Sequence, residues 1–405
     1  MTNFYKLSNQ VKHYDWGSPD LIPRLMGLVS NGEPFANGPY AELWMGSHAG
    51  SPSLVNLPSG EMSLGELITR DPHRYLGEKT AERYGALPFL FKLLAAEKPL
   101  SIQAHPNLAQ AREGFERENR AGLAQDAPNR SYRDSNHKPE IICALTPFIG
   151  MCGFRSPDEI QRLLSAFLDS APASVREGFA PLLQALEMPN PTTALRNFLE
   201  ILFNLSLAVK NALTEFILSV HGAENCEWEL IRDFARLYPG DPAVIAPLYL
   251  NVFRLEPGEA VFLKAGVLHA YIHGFGVELM ANSDNVLRGG LTSKHIDIPE
   301  LMKVLDFNPL KPQIIKPEAN FSCFTYPAPC EEFSLTVMRG TGGVMNMPLA
   351  FAQSASIGIV TEGEVSVSGT VLKQGESVFF PPANNKENPL VLQGHFTLYI
   401  ASVPQ

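Results

Sequence analysis

The sequence predicts a mainly β chain interrupted by a block of helices, and three observations carry that prediction. Short apolar runs broken by frequent Gly and Pro fill residues 1 to about 100, and the same texture returns from Tyr249 onward. Between them, residues 155–238 switch to helical periodicity. Finally, Leu255-Glu256-Pro257-Gly258-Glu259-Ala260-Val261-Phe262 and Leu372-Lys373-Gln374-Gly375-Glu376-Ser377-Val378-Phe379 align without a gap. A Gly-Glu turn between alternating strands, used twice, suggests two β-barrels or double-sheet jelly rolls of one kind.

A chain of 405 residues is too long for one core. Its apolar content of 45% and charged content of 18% are those of an ordered protein. The net charge of −10 argues against nucleic acid or an anionic membrane as a partner. An anionic substrate would therefore need a local basic cluster. Met1 to Tyr14 has no apolar core of a signal peptide, and Phe198 to Val209 is too short and too polar to span a bilayer. The five cysteines, Cys143, Cys152, Cys226, Cys323 and Cys330, form no CxxC pair, which suits reduced thiols in the cytoplasm.

Near the N-terminus, Tyr14-Asp15-Trp16-Gly17 and Ala41-Glu42-Leu43-Trp44-Met45-Gly46-Ser47-His48 read as core tryptophans near turns. Ser63 to Tyr75 reads as one short helix. Ser156-Pro157-Asp158-Glu159 is a helix start, with Ser as cap and Pro in the first turn. Ile160, Leu163, Leu164, Phe167 and Leu168 follow on one face. Leu195, Phe198, Leu199, Leu202 and Phe203 mark a second helix, and Glu227 to Leu237 a third.

Three stretches concentrate the chemistry. In Ser101-Ile102-Gln103-Ala104-His105-Pro106, residues 103 and 105 point the same way if the segment is extended, offering an amide oxygen and an imidazole to one cavity. Tyr132-Arg133-Asp134-Ser135-Asn136-His137-Lys138-Pro139-Glu140 is dense in titratable groups ahead of an apolar strand, although alone it reads equally as a solvated loop. His269 to His295 holds His273, Glu278, Asn282, Asp284, Asn285, Arg288 and Lys294 among glycines. So many polar groups in a sheet are costly to bury without a ligand or ion. Gln103, His105, Glu140 and His269 make a mixed nitrogen and oxygen set that suits Zn²⁺, and the neutral Gln leaves the site net positive. No HExxH, G-x-S-x-G, P-loop or GxGxxG context is present.

Together with the two tryptophan segments, these stretches resemble the type I mannose-6-phosphate isomerases over most of residues 1–305. The resemblance implies a cupin-type jelly roll holding one zinc per chain through Gln103, His105, Glu140 and His269, an active-site arginine at Arg288, and interconversion of mannose 6-phosphate and fructose 6-phosphate. The expected organisation is 1–154 and 239–319 for the two parts of the catalytic jelly roll, 155–238 for a helical insert, and 320–405 for a C-terminal jelly roll without metal. The position matching His269 in that second roll is Lys386.

Aldose–ketose isomerisation moves one proton between adjacent carbons through an enediolate, so the site needs a base and an electrophile. Glu278 is the expected base and Lys138 the alternative, with His137 or His273 assisting ring opening. Ser101, Lys92 and Lys294 are the expected phosphate ligands, Arg288 bridges phosphate and reacting carbons, and Asp284 joins the substrate site. The expected partner is thus a small sugar phosphate, bound by a monomer. Two other readings stand beside this one. An iron-dependent cupin dioxygenase usually wants more histidines at the metal, and a non-catalytic sugar-binding cupin does not need the charged cluster from Glu278 to Lys294.

Overall fold

The computed structural model describes residues 4–28, 35, 37–58, 60–220, 226–348, 351, 353–382 and 390–404. Two large antiparallel sheet systems and a helical block make up the chain. The first system is organised by the long strand His269–Ala281. Its second half pairs with Phe89–Ala96 on one side and Glu140–Ala144 on the other. Its first half leaves that layer and pairs with Gln103–Ala104 and Phe148–Phe154. The corner falls at Gly274, whose φ of +128° and whose approach to the Phe148 backbone leave no room for a Cβ.

Alternation along the strands gives the layer two different faces. Leu43, Phe91, Leu93, Ile141, Cys143, Val277 and Leu279 point one way and are buried. They share a core with Tyr326, Leu335, Val337, Ile357, Ile359, Phe379 and Tyr399 of the second sheet system. The Cys143 Sγ lies 3.2 Å from the Tyr326 hydroxyl across this interface. The opposite face carries Glu42, Trp44, Lys92, Glu140 and Glu278, and there the polar site is built.

The second system contains the strands Cys323–Tyr326, Ser334–Asn346, Ser356–Val367, Ser377–Phe380 and Val391–Ser402. It also recruits the N-terminus: Tyr5–Ser8 pairs with Ser377–Phe380 and with Leu54–Leu57. Strand pairing therefore crosses the division at 319/320, because Tyr5–Ser8 takes up the groups that Ser377–Phe380 would otherwise leave open at an edge. The repeated Gly-Glu turn is real at the level of hydrogen bonds. In one copy the Glu259 N–H donates to the Glu256 carbonyl and the Glu259 carboxylate accepts from the Glu256 N–H; in the other, Glu376 and Lys373 do the same. Gly258 and Gly375 sit at φ +90° and +82° in these turns. Position 386 lies outside the described residues.

Five helices fill the block: Pro157–Leu168, Ala173–Leu186, Pro191–Phe203, Leu207–Ser219 and Cys226–Leu237. Ser156 caps the first by accepting from the Glu159 N–H, Asn190 the third and Ser206 the fourth. The helices at 173–186 and 207–219 have no counterpart among the expected patterns. Pro181 interrupts the pattern of the former, and the latter is apolar on most sides. The single helix expected over Ser63–Tyr75 is two, Leu64–Arg70 and Pro72–Leu76, because Asp71 ends one turn and caps the next ahead of Pro72. No described helix is long and apolar enough to cross a membrane alone.

Candidate active site

The strand Gln103–Ala104 sits between two others. Gln103 pairs with His269 on one side and with Arg288 on the other, so these three side chains form a row on one face. His105 follows at the strand's end. Its Nδ1 donates to the Asn285 carbonyl at 2.6 Å, and the His269 Nδ1 donates to the Val267 carbonyl at 2.9 Å. Both imidazoles are thereby set with an Nε2 lone pair facing the Glu140 carboxylate, at 3.5 Å and 3.2 Å. The His105 Nε2, the His269 Nε2 and both Glu140 oxygens are buried and lack hydrogen-bond partners. Ligand atoms of the three residues lie within 4.8 Å of one another. Orphaned buried groups of this kind are costly unless a cation satisfies them, and two neutral imidazoles with one carboxylate and a neighbouring amide fit zinc. Burial, with help from Lys138, pushes His105 down to about 4, which keeps the ring neutral and able to bind metal. Burial alone would raise Glu140, but Lys138 and the two imidazoles hold it well below the usual carboxylate range.

A row of charges continues from this group along the sheet. The Lys138 Nζ approaches Glu140 Oε1 at 2.6 Å. Lys92 is buried between Glu278, at 3.1 Å, and Glu42, at 3.5 Å, and the Trp44 indole N–H donates to Glu42 at 2.7 Å. Burial works against the Lys92 charge, but Glu278 and Glu42 more than offset it and raise its pKa. Burial raises Glu278; Lys92 opposes that rise and Glu140 adds to it. The buried Tyr271 hydroxyl lies near the same charges, and burial, then Glu278 and Glu140, raise its pKa. Lys92 therefore departs from its expected place in a phosphate cluster: two carboxylates from neighbouring strands already neutralise its charge.

The basic cluster forms elsewhere. Burial lowers the Arg288 pKa and Arg133 adds to it; burial, Arg288 and Arg133 lower that of Lys294. Arg288, Arg133 and Lys294 lie close enough for their like charges to disfavour one another, which suits an anion. Ser101 borders this cluster, because Ile102 exchanges backbone hydrogen bonds with Gly289 and Gly290. Asp284 is half exposed and pairs with the His48 Nε2 at 3.2 Å. His137 does not join the metal group. Its Nε2 contacts Glu332 at 2.8 Å, and it lines a neighbouring cavity of about 550 Å³ with Arg83, Arg112 and Asn282. His273 is exposed and lines a separate cavity with Arg254 and Glu256. Sequence reasoning missed Arg133 as a member of the cationic cluster, Glu42 and Trp44 as partners of Lys92, and Tyr271. The alternation of Glu42 and Trp44 on one strand face was the available signal for the second of these.

Residues 4–157 match the model of the family described as phosphomannose isomerase type I, catalytic domain. The mannose-6-phosphate isomerase of Escherichia coli K12 is 39% identical over 398 residues, covering 96% of this chain and 97% of that protein. The human mannose-6-phosphate isomerase is 34% identical over 388 residues, covering 90% and 88%. A zinc-bound crystal structure of mannose 6-phosphate isomerase superposes with a TM-score of 0.87 at 36% identity over the whole of both chains. A variant phosphomannose isomerase from Salmonella typhimurium gives the same TM-score, identity and coverage.

Proposed function

The chain belongs to the type I phosphomannose isomerases, and from that premise we propose that it interconverts mannose 6-phosphate and fructose 6-phosphate with one zinc per chain bound by Gln103, His105, Glu140 and His269. The observation that carries the proposal is the convergence of the buried His105 Nε2, His269 Nε2 and Glu140 carboxylate, with both imidazole nitrogens lacking hydrogen-bond partners, beside Arg288. Bound zinc supplies a Lewis acid next to the sugar oxygens that become negative as the proton moves.

The protein's own groups do the rest. Arg288 donates to the developing oxyanion and reaches toward the phosphate, which Lys294, Arg133 and Ser101 also meet. Arg suits this bridging place because its fork donates to two oxygens at once. Glu278 carries the proton between the two carbons. Its pKa, raised by burial, brings the carboxylate closer to working pH, while Lys92 keeps it ionised. Lys138, against Glu140, is the alternative base. His137, with Glu332 behind it, is available for ring opening, and Asp284 with His48 contacts sugar hydroxyls at the mouth. The enzyme works as a monomer in the cytoplasm, a reading supported by the unpaired Cys143, Cys152, Cys323 and Cys330 as far as compartment is concerned.

The test is a coupled assay on mannose 6-phosphate before and after chelation, with the metal counted. Turnover should require about one zinc per chain and return on its readdition. Full activity in metal-free protein, or none in zinc-loaded protein, refutes the proposal. Light scattering on the purified chain checks the monomer.

A further inference from the structure

We infer that Asn285 is a positioning residue of the metal centre: it holds the segments that carry His105 and Glu140 against each other. The inference rests on the zinc reading above. Asn285 is fully buried and every polar atom it has is used by the protein. Its backbone carbonyl accepts the His105 Nδ1–H at 2.6 Å, which fixes the tautomer that presents Nε2. Its side-chain Oδ1 accepts from the Arg133 and Asp134 N–H groups at 2.7 and 3.1 Å. Its Nδ2 donates to the carbonyls of Asp134 and Asn136 at 2.8 and 2.9 Å, and to the Asp134 carboxylate at 3.2 Å. Its own N–H donates to the Ser283 hydroxyl at 3.2 Å.

One residue therefore grips the loop 133–136, which runs directly into His137, Lys138, Pro139 and Glu140, and with its carbonyl orients the imidazole facing Glu140. Three residues further along the chain stands Arg288, in register with Gln103. Both lone pairs of Oδ1 and both hydrogens of Nδ2 are engaged, so Asn285 has no capacity left for a substrate. Its effect must pass through the groups it holds. A carboxylate at this position would keep the acceptor bonds, lose the side-chain donor bonds and face Asp134, whereas an alanine would lose all the side-chain bonds and leave the loop held by Ser283, Asp284 and Asn282.

The experiment compares Asn285→Ala and Asn285→Asp with the parent in three readouts: zinc affinity by competition with a chromophoric chelator, the visible spectrum after Co²⁺ substitution, and kcat and KM of the zinc-saturated enzyme. The Asn285 carbonyl that accepts from His105 survives both substitutions, so the variants test the side-chain grip on the loop ahead of Glu140, and zinc affinity should fall about 10-fold, the lower end of what disturbing the surroundings of metal ligands typically costs. The cobalt spectrum should change, and kcat should fall more than KM rises. Unaltered zinc affinity with an unaltered cobalt spectrum overturns the inference, even if thermal stability drops, because that pattern belongs to a merely structural residue. If Asn285→Ala does not fold, Asn285→Asp decides alone, and failure of both to fold also overturns it. A parent protein that takes up no zinc brings down the zinc reading and this inference together, whereas a parent that binds zinc alongside equally tight variants brings down only the inference.

Discussion

Replacing Lys92 by Met separates two roles that this lysine has been given. In sequence it looks like a phosphate ligand; in the fold it is sealed between Glu278 and Glu42. Lys92→Met preserves most of the side-chain volume and removes the cation, leaving two buried carboxylates without it. Breaking a buried ion pair on one side typically costs about 3–5 kcal/mol, because the orphaned charge stays in low dielectric. At 2–4 °C per kcal/mol for a unit of this size, the midpoint of the catalytic unit should fall roughly 10 °C.

Adding Glu278→Gln should recover a large part of the loss, because neutral partners of similar volume often replace a buried pair at little cost. The pH dependence has a definite sign. Glu278 is a carboxyl whose folded pKa lies above its unfolded value, so its ionised form costs stability above the folded pKa. Losing Lys92 raises it further, and the deficit of the variant should therefore shrink as pH falls toward the unfolded value of about 4.3. In kinetics, a phosphate role predicts a higher KM with kcat retained, whereas loss of the ion pair predicts a lower kcat with KM held, through a Glu278 that is no longer ionised. Scanning calorimetry from about pH 4.3 upward and steady-state kinetics read both, because the deficit opens above the unfolded value. A Lys92→Met cost below about 1 kcal/mol, or single-variant losses that simply add in the double variant, would refute the coupled buried pair.

Other expectations follow from the same geometry. His105→Ala and Glu140→Ala should each lose zinc and turnover, which metal analysis and the coupled assay check together. Lys294→Ala should mainly raise KM, while Arg288→Ala should also lower kcat, typically by about 10²–10³-fold if it donates to the oxyanion. In heavy water, proton transfer that exchanges with solvent should place deuterium on the product carbon, and Glu278→Gln should lose most of kcat while keeping zinc; complete retention of the substrate hydrogen with an active variant would exclude Glu278 as the base. Glu300 accepts from Tyr132 at 2.8 Å and pairs with Arg117 and Lys303, contacts that outweigh burial and lower its pKa. A depressed carboxyl contributes stability above its unfolded pKa and loses it as pH falls through the folded value, so Glu300→Gln should flatten the acid limb of the melting curve below about pH 4.3.

What the sequence discloses follows from distance along the chain. Gln103 and His105 share a direction because they are two apart in extended backbone, and the pattern needs nothing else to be read. The Gly-Glu turns were legible for the same reason: each bonds within four residues, Glu256 to Glu259 and Lys373 to Glu376. The ends of Pro157–Leu168 and Pro191–Phe203 are marked by caps three residues away. Partnerships across the fold left no such trace. Glu42 meets Lys92 from 50 residues away and Glu278 from 186, and the alternation of Glu42 and Trp44 marks a polar strand face without naming Lys92 as the partner. The strand Tyr5–Ser8 finds its place against Ser377–Phe380, a pairing that no local pattern could announce.

The same distinction explains why a motif fixes a position more firmly than a role. His137 and Lys138 are neighbours in one motif, yet Lys138 turns toward Glu140 and His137 toward Glu332, beyond the expected catalytic roll. Glu332 belongs to the part of the chain expected to be purely structural. Its contact with His137 joins that part to the segment bearing Lys138 and Glu140, beside the apolar core the two sheet systems share. Lys92 makes the complementary case: its position beside the site was legible, but its charge is committed to two carboxylates that only the folded sheet brings to it. Reading function from such residues therefore requires asking, of each titratable group, whether its charge is still available once the strands have paired.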